Sequence, residues 1–423
     1  MLNLQNALNK HRRILNKSLA SLVDQVTFGG ANFGINVLFA RWMSVTDYGI
    51  FTLAYSILLF WFFLVSALQL EPIAIFRHKN ENQSGAYVTA NLAITALLLV
   101  GFALLLLPVL YLFPGKGISF NPIMLLLACL STALFWALRQ FSYADNKPWM
   151  AFTQTAAYAI GLFVAAFAIG QTNTQTADGG LRVLAVGAFF AVVVGTVISR
   201  GSFARFSFDR VYSNMIANAR YGAWSAPSNL AAWFAANAFL ISLPTFGSPD
   251  AAARLKTLLN ILLPFQQILA GVSLLFMPIL ARLHSNGDID QFKRTSTALL
   301  MIGMLGGMGM STIMYFGGSY VYTFVYGAGY AGQAGIIMTG LALPVLMAPI
   351  SVFRIITRAT NRPDKQLRAY LVGTVAVGLI AVPVGTSYGQ AGAVIGMTLM
   401  QAATLAVMIF DNQRTRRRQS SSL

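Results

Sequence analysis

Two carboxylates occupy positions where they could carry chemistry inside a membrane. Asp24 lies in the apolar stretch 19–42, and Glu71 lies near the end of the apolar stretch 49–76, directly before Pro72. An ionised carboxylate at the membrane centre costs about 2.5–3.5 kcal/mol on insertion scales, and a residue retained at that cost is a functional candidate by default. Both are therefore candidate ion-coupling sites that bind a proton or a cation. The alternative for each is an interfacial carboxylate paired with Arg12, Arg13, Arg77 or another basic residue of the inner side.

Three basic residues could bind an anion. Arg41 ends the first apolar stretch, whereas Arg254 and Lys256 open the eighth. A guanidinium binds phosphate through two parallel hydrogen bonds, and an ammonium acts as a point charge. We interpret all three as candidates for the path of an anionic substrate. The alternative for each is a side chain that reaches out to the lipid headgroups.

Two predicted helices carry polar faces. At about 100° per residue, the first stretch aligns Ser21, Gln25, Gly29, Asn32 and Asn36. The seventh stretch contains Trp224, Ser225, Ser228, Asn229 and Asn237. An unpaired polar group in lipid costs about 2–7 kcal/mol, so such faces point toward protein or a wet cavity. The candidate substrate-path residues are therefore Gln25, Asn32, Asn36, Asn229 and Asn237; the alternative is hydrogen bonding between helices.

The elements that position these residues are membrane-crossing helices. The chain has 423 residues, of which 57% are hydrophobic and 10% charged, and its mean hydropathy is +0.65. Soluble domains carry about 25% charged residues. A helix needs about 20 apolar residues to cross a bilayer, and stretches near that length occur at 19–42, 49–76, 86–112, 122–143, 149–170, 181–199, 221–244, 255–281, 296–317, 333–356, 368–388 and 391–410. We predict an all-α polytopic membrane protein with about twelve transmembrane helices.

The basic residues predict the orientation. Of the 29 Lys and Arg residues, 24 fall in one set of loops and tails. The opposite ends hold only Arg41, Lys116, Arg182, Arg254 and Lys256. Basic residues are concentrated on the cytoplasmic side of membrane proteins. Both termini are therefore predicted to be cytoplasmic, and the net charge of +17 reflects topology rather than nucleic-acid binding.

The longest inner connector divides the chain into two predicted six-helix lobes. The predicted segments are a basic cytoplasmic N-terminal segment at 1–18, an N-terminal lobe at 19–199, a basic cytoplasmic linker at 200–220, a C-terminal lobe at 221–410 and a basic cytoplasmic tail at 411–423. A weak likeness between 44–60 and 248–264, at an offset of 204 residues, suggests parallel repeats.

Several function classes are disfavoured by what the sequence lacks. No GxxxxGK[ST] phosphate loop occurs, no Cys/His cluster could hold zinc, and no Ser-His-Asp set can be proposed. The single cysteine, Cys129, lies in an apolar stretch, so no disulfide framework forms. We expect no enzyme activity, no cofactor, no metal site and no nucleic-acid partner.

Four short motifs resemble a known family. They are D-Q-x-x-x-x-G-x-N-F-x-x-N from Asp24, A-R-W at 40–42, D-Y-G-x-F at 47–51 and E-P at 71–72, with Y-G-x-x-Y at 326–330 similar to a common outer-loop pattern. Together they resemble polysaccharide biosynthesis proteins, the Wzx-type O-antigen and exopolysaccharide flippases of the multidrug/oligosaccharidyl-lipid/polysaccharide (MOP) exporter superfamily. The resemblance covers about the first 80 residues of the chain.

This resemblance implies a fold and a function. The fold would be MATE/MOP-like, with two lobes in a V around a central, often cationic cavity. The function would be translocation of a polyprenyl-diphosphate-linked oligosaccharide across the bacterial cytoplasmic (inner) membrane by alternating access, for lipopolysaccharide or exopolysaccharide synthesis. The implied partners are the lipid-linked oligosaccharide, membrane lipids, and polysaccharide polymerase or export proteins.

Other functions remain open at this point. Multidrug and toxin extruders share the superfamily fold and often carry an acidic residue in the first helix, so an ion-coupled drug antiporter is the main alternative. Peptidoglycan-precursor flippases resemble the chain but usually have fourteen crossings. Major facilitators have a G-x-x-x-D-R-x-G-R pattern that the loop at 77–86 lacks. A non-transporting scaffold subunit of a glycan-synthesis complex is a third possibility.

Overall fold

The structure is a computed structural model that describes residues 2–77, 84–112, 120–170, 175–327, 330, 334–360 and 362–420. Within these ranges the regular secondary structure is entirely helical. The loop residues Lys79 and Lys116, which entered the orientation prediction, lie outside the described residues.

The described residues form sixteen α-helices, joined by turns, short irregular segments and short helical segments of other types. They are α1 (Leu2–Trp42), α2 (Val45–Val65), α3 (Glu71–Phe76), α4 (Ser84–Leu112), α5 (Pro122–Ala144), α6 (Pro148–Gly170), α7 (Ala177–Ile198), α8 (Phe208–Phe246), α9 (Pro249–Ile261), α10 (Leu263–Ser285), α11 (Ile289–Tyr326), α12 (Ala334–Gly340), α13 (Ala342–Ala359), α14 (Pro363–Ala369), α15 (Val377–Ser387) and α16 (Gly389–Ser420).

Eleven helical spans in the described residues are long and apolar enough to cross a membrane. They correspond to the predicted second to twelfth crossings. The predicted first crossing is the second part of α1, which has 41 residues and is therefore about 60 Å long. α1 is long enough to cross a membrane, but it is not among the eleven apolar spans, because Asp24, Asn32 and Asn36 interrupt its apolar pattern. Asn36, which the polar-stripe argument placed inward, is nonetheless buried, and so is Asp24, which does not belong to that stripe.

Several crossings are broken. A π-helical segment at Ser66–Leu70 joins α2 to α3, and another at Tyr370–Ala376 joins α14 to α15. The predicted eighth crossing, 255–281, combines the end of α9 with most of α10. The helix breaks between them because Pro264 has no N–H to donate to the preceding turn. The span that is apolar enough to cross the membrane there is Leu263–Ser285.

The chain forms two compact units. Unit 1 comprises Met1–Met43 and Ile57–Asn229, and unit 2 comprises Ser44–Ser56 and Leu230–Leu423. Two long helices, α2 and α8, thus contribute residues to both units. The predicted lobe boundaries at 199 and 221 stay a prediction.

In unit 1, α5, α6 and α7 pack on one another, α1 packs on α6, and α4 packs on α5. Glycines bring α6 and α7 close together, because a Cβ on Gly161 would lie 3.1 Å from the Cα of Gly187. The buried indole N–H of Trp61 donates to the Cys129 carbonyl at 2.9 Å. At one end of the unit, Arg77 and Asp145 form an ion pair at 2.6 Å.

In unit 2, α11 packs on α10 and α13, and α16 packs on α13 and α15. One core cluster consists of Leu280, Leu299, Val352, Ile355 and Ala359. A Cβ on Gly307 of α11 would meet the Pro344 carbonyl oxygen at 2.7 Å, so this glycine permits the close approach of α11 to α13.

Candidate functional site

Asp24 lies at the centre of a closed polar cluster in unit 1. Its side chain is fully buried, and Arg139 of α5 donates to its Oδ2 through Nη2 at 2.5 Å and through Nε at 3.1 Å. The Tyr143 hydroxyl donates to the same oxygen. The guanidinium carbon of Arg139 also lies 4.9 Å from the ring centroid of Phe28, one turn along α1. Asp24 is therefore a buried carboxylate that already pairs with a cation, Arg139, which is one of the 24 basic residues assigned to the inner side.

The remaining polar candidates of α1 bond mainly within their own region. The Asn32 amide donates to the Phe28 carbonyl at 2.8 Å, and the Tyr158 hydroxyl donates to the Asn32 Oδ1 at 3.2 Å. Asn36 is buried and donates to the Asn32 carbonyl at 2.8 Å, while its Oδ1 accepts no hydrogen bond from a described residue. Gln25 is half-buried beside Tyr143. Asn32 therefore links α1 to α6, and Asn36 retains an unused acceptor.

Glu71 differs from Asp24 because neutral side chains, rather than a cation, bind its carboxylate. It is the first residue of α3, directly after the π-helical segment, and its carboxylate accepts hydrogen bonds from the Ser225 hydroxyl and from the Asn229 amide, the latter at 3.0 Å. Both donors belong to α8 and both are neutral. Among the described residues no basic side chain forms an ion pair with Glu71. The structure thus joins two sequence candidates, Glu71 and Asn229, whereas the side chain of Trp224 lies outside the described part.

A neighbouring buried network was missed by the sequence reasoning. The Gln69 amide donates to the Asn91 carbonyl and to the Thr95 hydroxyl, each at 2.6 Å, and the Asn218 amide donates to the Asn91 Oδ1 at 3.1 Å. All four side chains are buried. This network could have been suspected from Asn91 and Thr95, two polar residues four positions apart in an apolar stretch. That spacing places them on the same face of a helix.

Lys256 is the buried cation of unit 2. It lies on α9 with 8% of its surface exposed, and its Nζ is 4.8 Å from the ring centroid of Tyr55. No hydrogen bond or ion pair joins its ammonium to any residue that the structure describes. A buried charge normally requires a counter-charge. Burial lowers the pKa of Lys256 to about 8, and an anion beside the ammonium would offset this effect, so Lys256 stays a candidate for the anionic substrate path.

The two other basic candidates, Arg41 and Arg254, stay candidates for the substrate path and lie in different local surroundings. Arg41 is exposed in the last turn of α1, where a cation is stabilised by the helix dipole. Arg254 is half-buried, and its carbonyl accepts a hydrogen bond from the Thr257 hydroxyl at 2.8 Å. In α8, Asn237 is buried and donates to the Trp233 carbonyl at 3.1 Å.

Two of the family-like motifs position helices in unit 2. In D-Y-G-x-F, Asp47 accepts a hydrogen bond from Ser44 at 2.6 Å, the Asn260 amide donates to the Tyr48 hydroxyl at 3.0 Å, and a Cβ on Gly49 would lie 2.0 Å from the Pro249 carbonyl oxygen. In Y-G-x-x-Y, Gly327 ends α11 with a φ of 83°, a conformation that favours glycine. Burial raises the pKa of Tyr330, which follows this turn and keeps its proton.

No metal-binding set is present in the described ranges: they contain no group of three or more His, Cys, Asp or Glu side chains that could hold an ion.

The sequence matches no protein-family model, and no curated protein matches it. Solved structures do resemble it. A multidrug resistance MATE family transporter of the MOP superfamily, in an inward-facing conformation, has a TM-score of 0.69 at 13% identity, covering 96% of this chain and 100% of that chain. The lipid II flippase MurJ, in an inward closed conformation, has a TM-score of 0.70 at 13% identity, covering 94% of this chain and 87% of that chain.

A MOP superfamily transporter from Pyrococcus furiosus has a TM-score of 0.63 at 12% identity, covering 97% of this chain and 96% of that chain. Fold and hydropathy thus define a multi-pass helical membrane protein. Its fold is that of the MOP superfamily transporters, which include MATE drug transporters and the MurJ flippase. These structural neighbours are transporters rather than enzymes.

Proposed function

We propose that this protein translocates a polyprenyl-diphosphate-linked oligosaccharide across the bacterial cytoplasmic membrane by alternating access. The observation that carries the proposal is the buried Lys256 ammonium, which has no carboxylate partner among the described residues. A diphosphate would supply the missing negative charge. The fold supports the same class of substrate, because the lipid II flippase shares it.

The ion pair of Asp24 also favours an anionic substrate over a cationic drug. Asp24 is already neutralised by Arg139. A cationic substrate that bound to Asp24 would have to displace the Arg139 guanidinium. The guanidinium would then be a buried charge without a partner, which is costly.

Glu71 supports ion coupling, and with it the alternative of a drug antiporter. Its hydrogen-bond donors, Ser225 and Asn229, are neutral. A proton could therefore add to Glu71 without separating an ion pair, whereas protonation of Asp24 would leave the Arg139 guanidinium unpaired. We assign the coupling role to Glu71 rather than to Asp24.

Proteoliposomes containing polyprenyl-diphosphate-linked oligosaccharide test the proposal. A lectin added outside reports how much of the lipid becomes accessible with time, with and without an imposed pH gradient. The wild-type protein should transfer the lipid, and Lys256→Gln should slow transfer at least tenfold, since a hydrogen bond to a charged group is worth about 1.5–3 kcal/mol. The matched control is Lys147→Gln, which removes an exposed lysine and should transfer at the wild-type rate.

Two outcomes would contradict the proposal. Equal transfer by Lys256→Gln and the wild-type protein would exclude the ammonium from substrate binding. Absence of lipid transfer, together with pH-gradient-driven export of small organic cations, would identify a drug antiporter instead.

A further inference from the structure

Unit 2 contains a second cationic site, a cavity of about 180 Å³ that is separate from Lys256. It lies where α10, α13 and α16 end and where α11 and α14 begin, and its basic lining residues are His284, Lys293, Arg362 and Lys365. Because successive crossings alternate in direction, these five helix ends share one face of the membrane. That face is the one predicted to be cytoplasmic from the basic residues.

The cavity has an excess of positive charge. Its one acidic lining residue, Asp411, has an oxygen 3.2 Å from Nη1 of Arg368. Asp411 also interacts electrostatically with Lys365, so this one carboxylate is shared between Arg368 and the basic residues of the cavity. One carboxylate does not balance the charges of Lys293, Arg362 and Lys365. An anion entering the cavity would therefore be attracted.

A buried hydroxyl provides a second, independent indication of a ligand. Ser296 lines the cavity and is only 5% exposed, yet its hydroxyl forms no hydrogen bond with any residue in the described part of the chain. The other buried hydroxyl in the lining, that of Thr357, donates to the Arg354 carbonyl at 3.1 Å. An unpaired buried donor destabilises the protein unless a ligand or water accepts its hydrogen bond.

We propose that this cavity binds a phosphate group. A guanidinium, two ammonium groups and a hydroxyl donor match the oxygens of a phosphate, for which charge-assisted hydrogen bonds are strongest. The volume suffices, since a cavity of about 150 Å³ accommodates a benzene-sized molecule. Basic pockets between transmembrane helices on the cytoplasmic side bind anionic lipid headgroups. The phosphate is therefore that of an anionic phospholipid headgroup or free phosphate from the cytoplasm.

This site does not depend on the proposed transport function. It uses side chains of α10, α11, α13, α14 and α16 and of the turns beside them, whereas the transport proposal uses Lys256 of α9 and Glu71 of α3. Binding at the cavity can be measured without a transport assay, so failure of one proposal leaves the other unaffected.

Native mass spectrometry of the purified full chain tests the site with two probes. The first is phosphatidylglycerol, compared with phosphatidylcholine at equal concentration, and the second is inorganic phosphate as a competitor. The wild-type protein should bind phosphatidylglycerol more tightly than phosphatidylcholine, and Lys293→Gln with Arg362→Gln should weaken that binding at least tenfold. Ser296→Ala should weaken it severalfold without changing the charge.

The matched control is Arg294→Gln with Arg358→Gln, which removes the same charge from two exposed residues that do not line the cavity. Its affinity should stay within about twofold of the wild-type value, and a melting curve for each variant separates lost binding from lost folding. Competition by inorganic phosphate would identify free phosphate as the ligand, and phosphatidylglycerol binding without competition would identify the lipid headgroup. Equal weakening by both double substitutions, or no binding of either probe, would overturn the proposal.

Discussion

At the scale of single residues, Asp24 and Arg139 form the most enclosed charge pair in the described structure. Asp24 is fully buried, and the Arg139 side chain is 14% exposed. Asp24→Asn would leave the guanidinium buried without an anion, and breaking a buried pair from one side costs about 3–5 kcal/mol. Chemical denaturation in detergent should show a decrease of that size in the free energy of unfolding.

Two further variants make this expectation specific. Asp24→Asn combined with Arg139→Gln removes both charges and should recover much of the lost free energy. Asp209→Asn makes the same chemical change at an exposed carboxylate and should cost less than about 1 kcal/mol. If Asp24→Asn is as stable as the wild-type protein, the pair is not formed.

The sequence predicted which residues would be polar and buried, but not which would bond to each other. Spacing assigned Gln25, Asn32 and Asn36 to an inward-facing stripe; Asn36 is buried, whereas Gln25 and Asn32 are half-buried. The partner of Asp24 lies 115 residues away on another helix, and the donors to Glu71 lie 154 and 158 residues away. Such pairs depend on the rotation and packing of helices that are distant in the chain, and side-chain periodicity specifies neither.

At the scale of elements, the starts of α2 and α9 are joined by Thr46 and by Gly49 of the D-Y-G-x-F motif that follows it. Thr46 donates to Asp250 at 2.7 Å, and these two residues are separated by 204 positions, the offset of the weak internal repeat. Gly49 lies so close to α9 that a Cβ would meet the Pro249 carbonyl oxygen at 2.0 Å. The motif that resembles the family therefore has a packing role in unit 2.

Gly49→Ala should consequently destabilise the protein. The backbone carbonyl of Pro249 cannot rotate away as a side chain could, so the helices would have to separate, and overpacking costs about 1–3 kcal/mol. A lower melting temperature of the purified protein would show it. The control is Gly101→Ala, where a Cβ meets nothing within 4 Å. Because alanine favours a helix over glycine by about 0.5–1 kcal/mol, the control should melt no lower than the wild-type protein.

Helix breaks were predictable only where proline caused them. The break before Pro264 follows from the missing N–H of proline. Pro72 lies at the corresponding place in α3, directly after the π-helical segment Ser66–Leu70. By contrast, the segment Tyr370–Ala376 contains no proline, and none lies at the start of α15. A π-helical turn is stabilised by packing around it, such as the contact of Gly373 with α16, where a Cβ would lie 2.3 Å from the Thr404 Cα. The local sequence around Gly373 does not predict this contact, because Thr404 lies on another helix.

At the scale of the whole molecule, composition and apolar periodicity were sufficient for the fold class. Eleven of the twelve predicted crossings match helical spans of adequate length and hydropathy. The missing crossing is α1, whose polar residues lower its hydropathy and also made it the first candidate for function. Asp24 and Asn36 are buried inside the protein, so their polar groups do not face lipid. The extent of each compact unit could not be predicted, because α2 and α8 each contribute to both.

The orientation of the molecule rests on the distribution of its basic residues and can be tested with two matched cysteines. Cys129 is the only cysteine in the sequence and is fully buried. Trp61 and Thr132 both donate to its backbone carbonyl rather than to its thiol, so Cys129→Ala should fold normally. In that background, Ser248→Cys and Ser285→Cys introduce single exposed thiols just before α9 and at the end of α10. One span, Leu263–Ser285, separates them.

An impermeant maleimide applied to intact cells should label the cysteine at 248, and the cysteine at 285 should react only after the membrane is opened, since the inner loops carry 24 of the 29 basic residues. The reverse pattern would invert the topology and put the phosphate-binding cavity on the outer face, where cytoplasmic phosphate could not reach it.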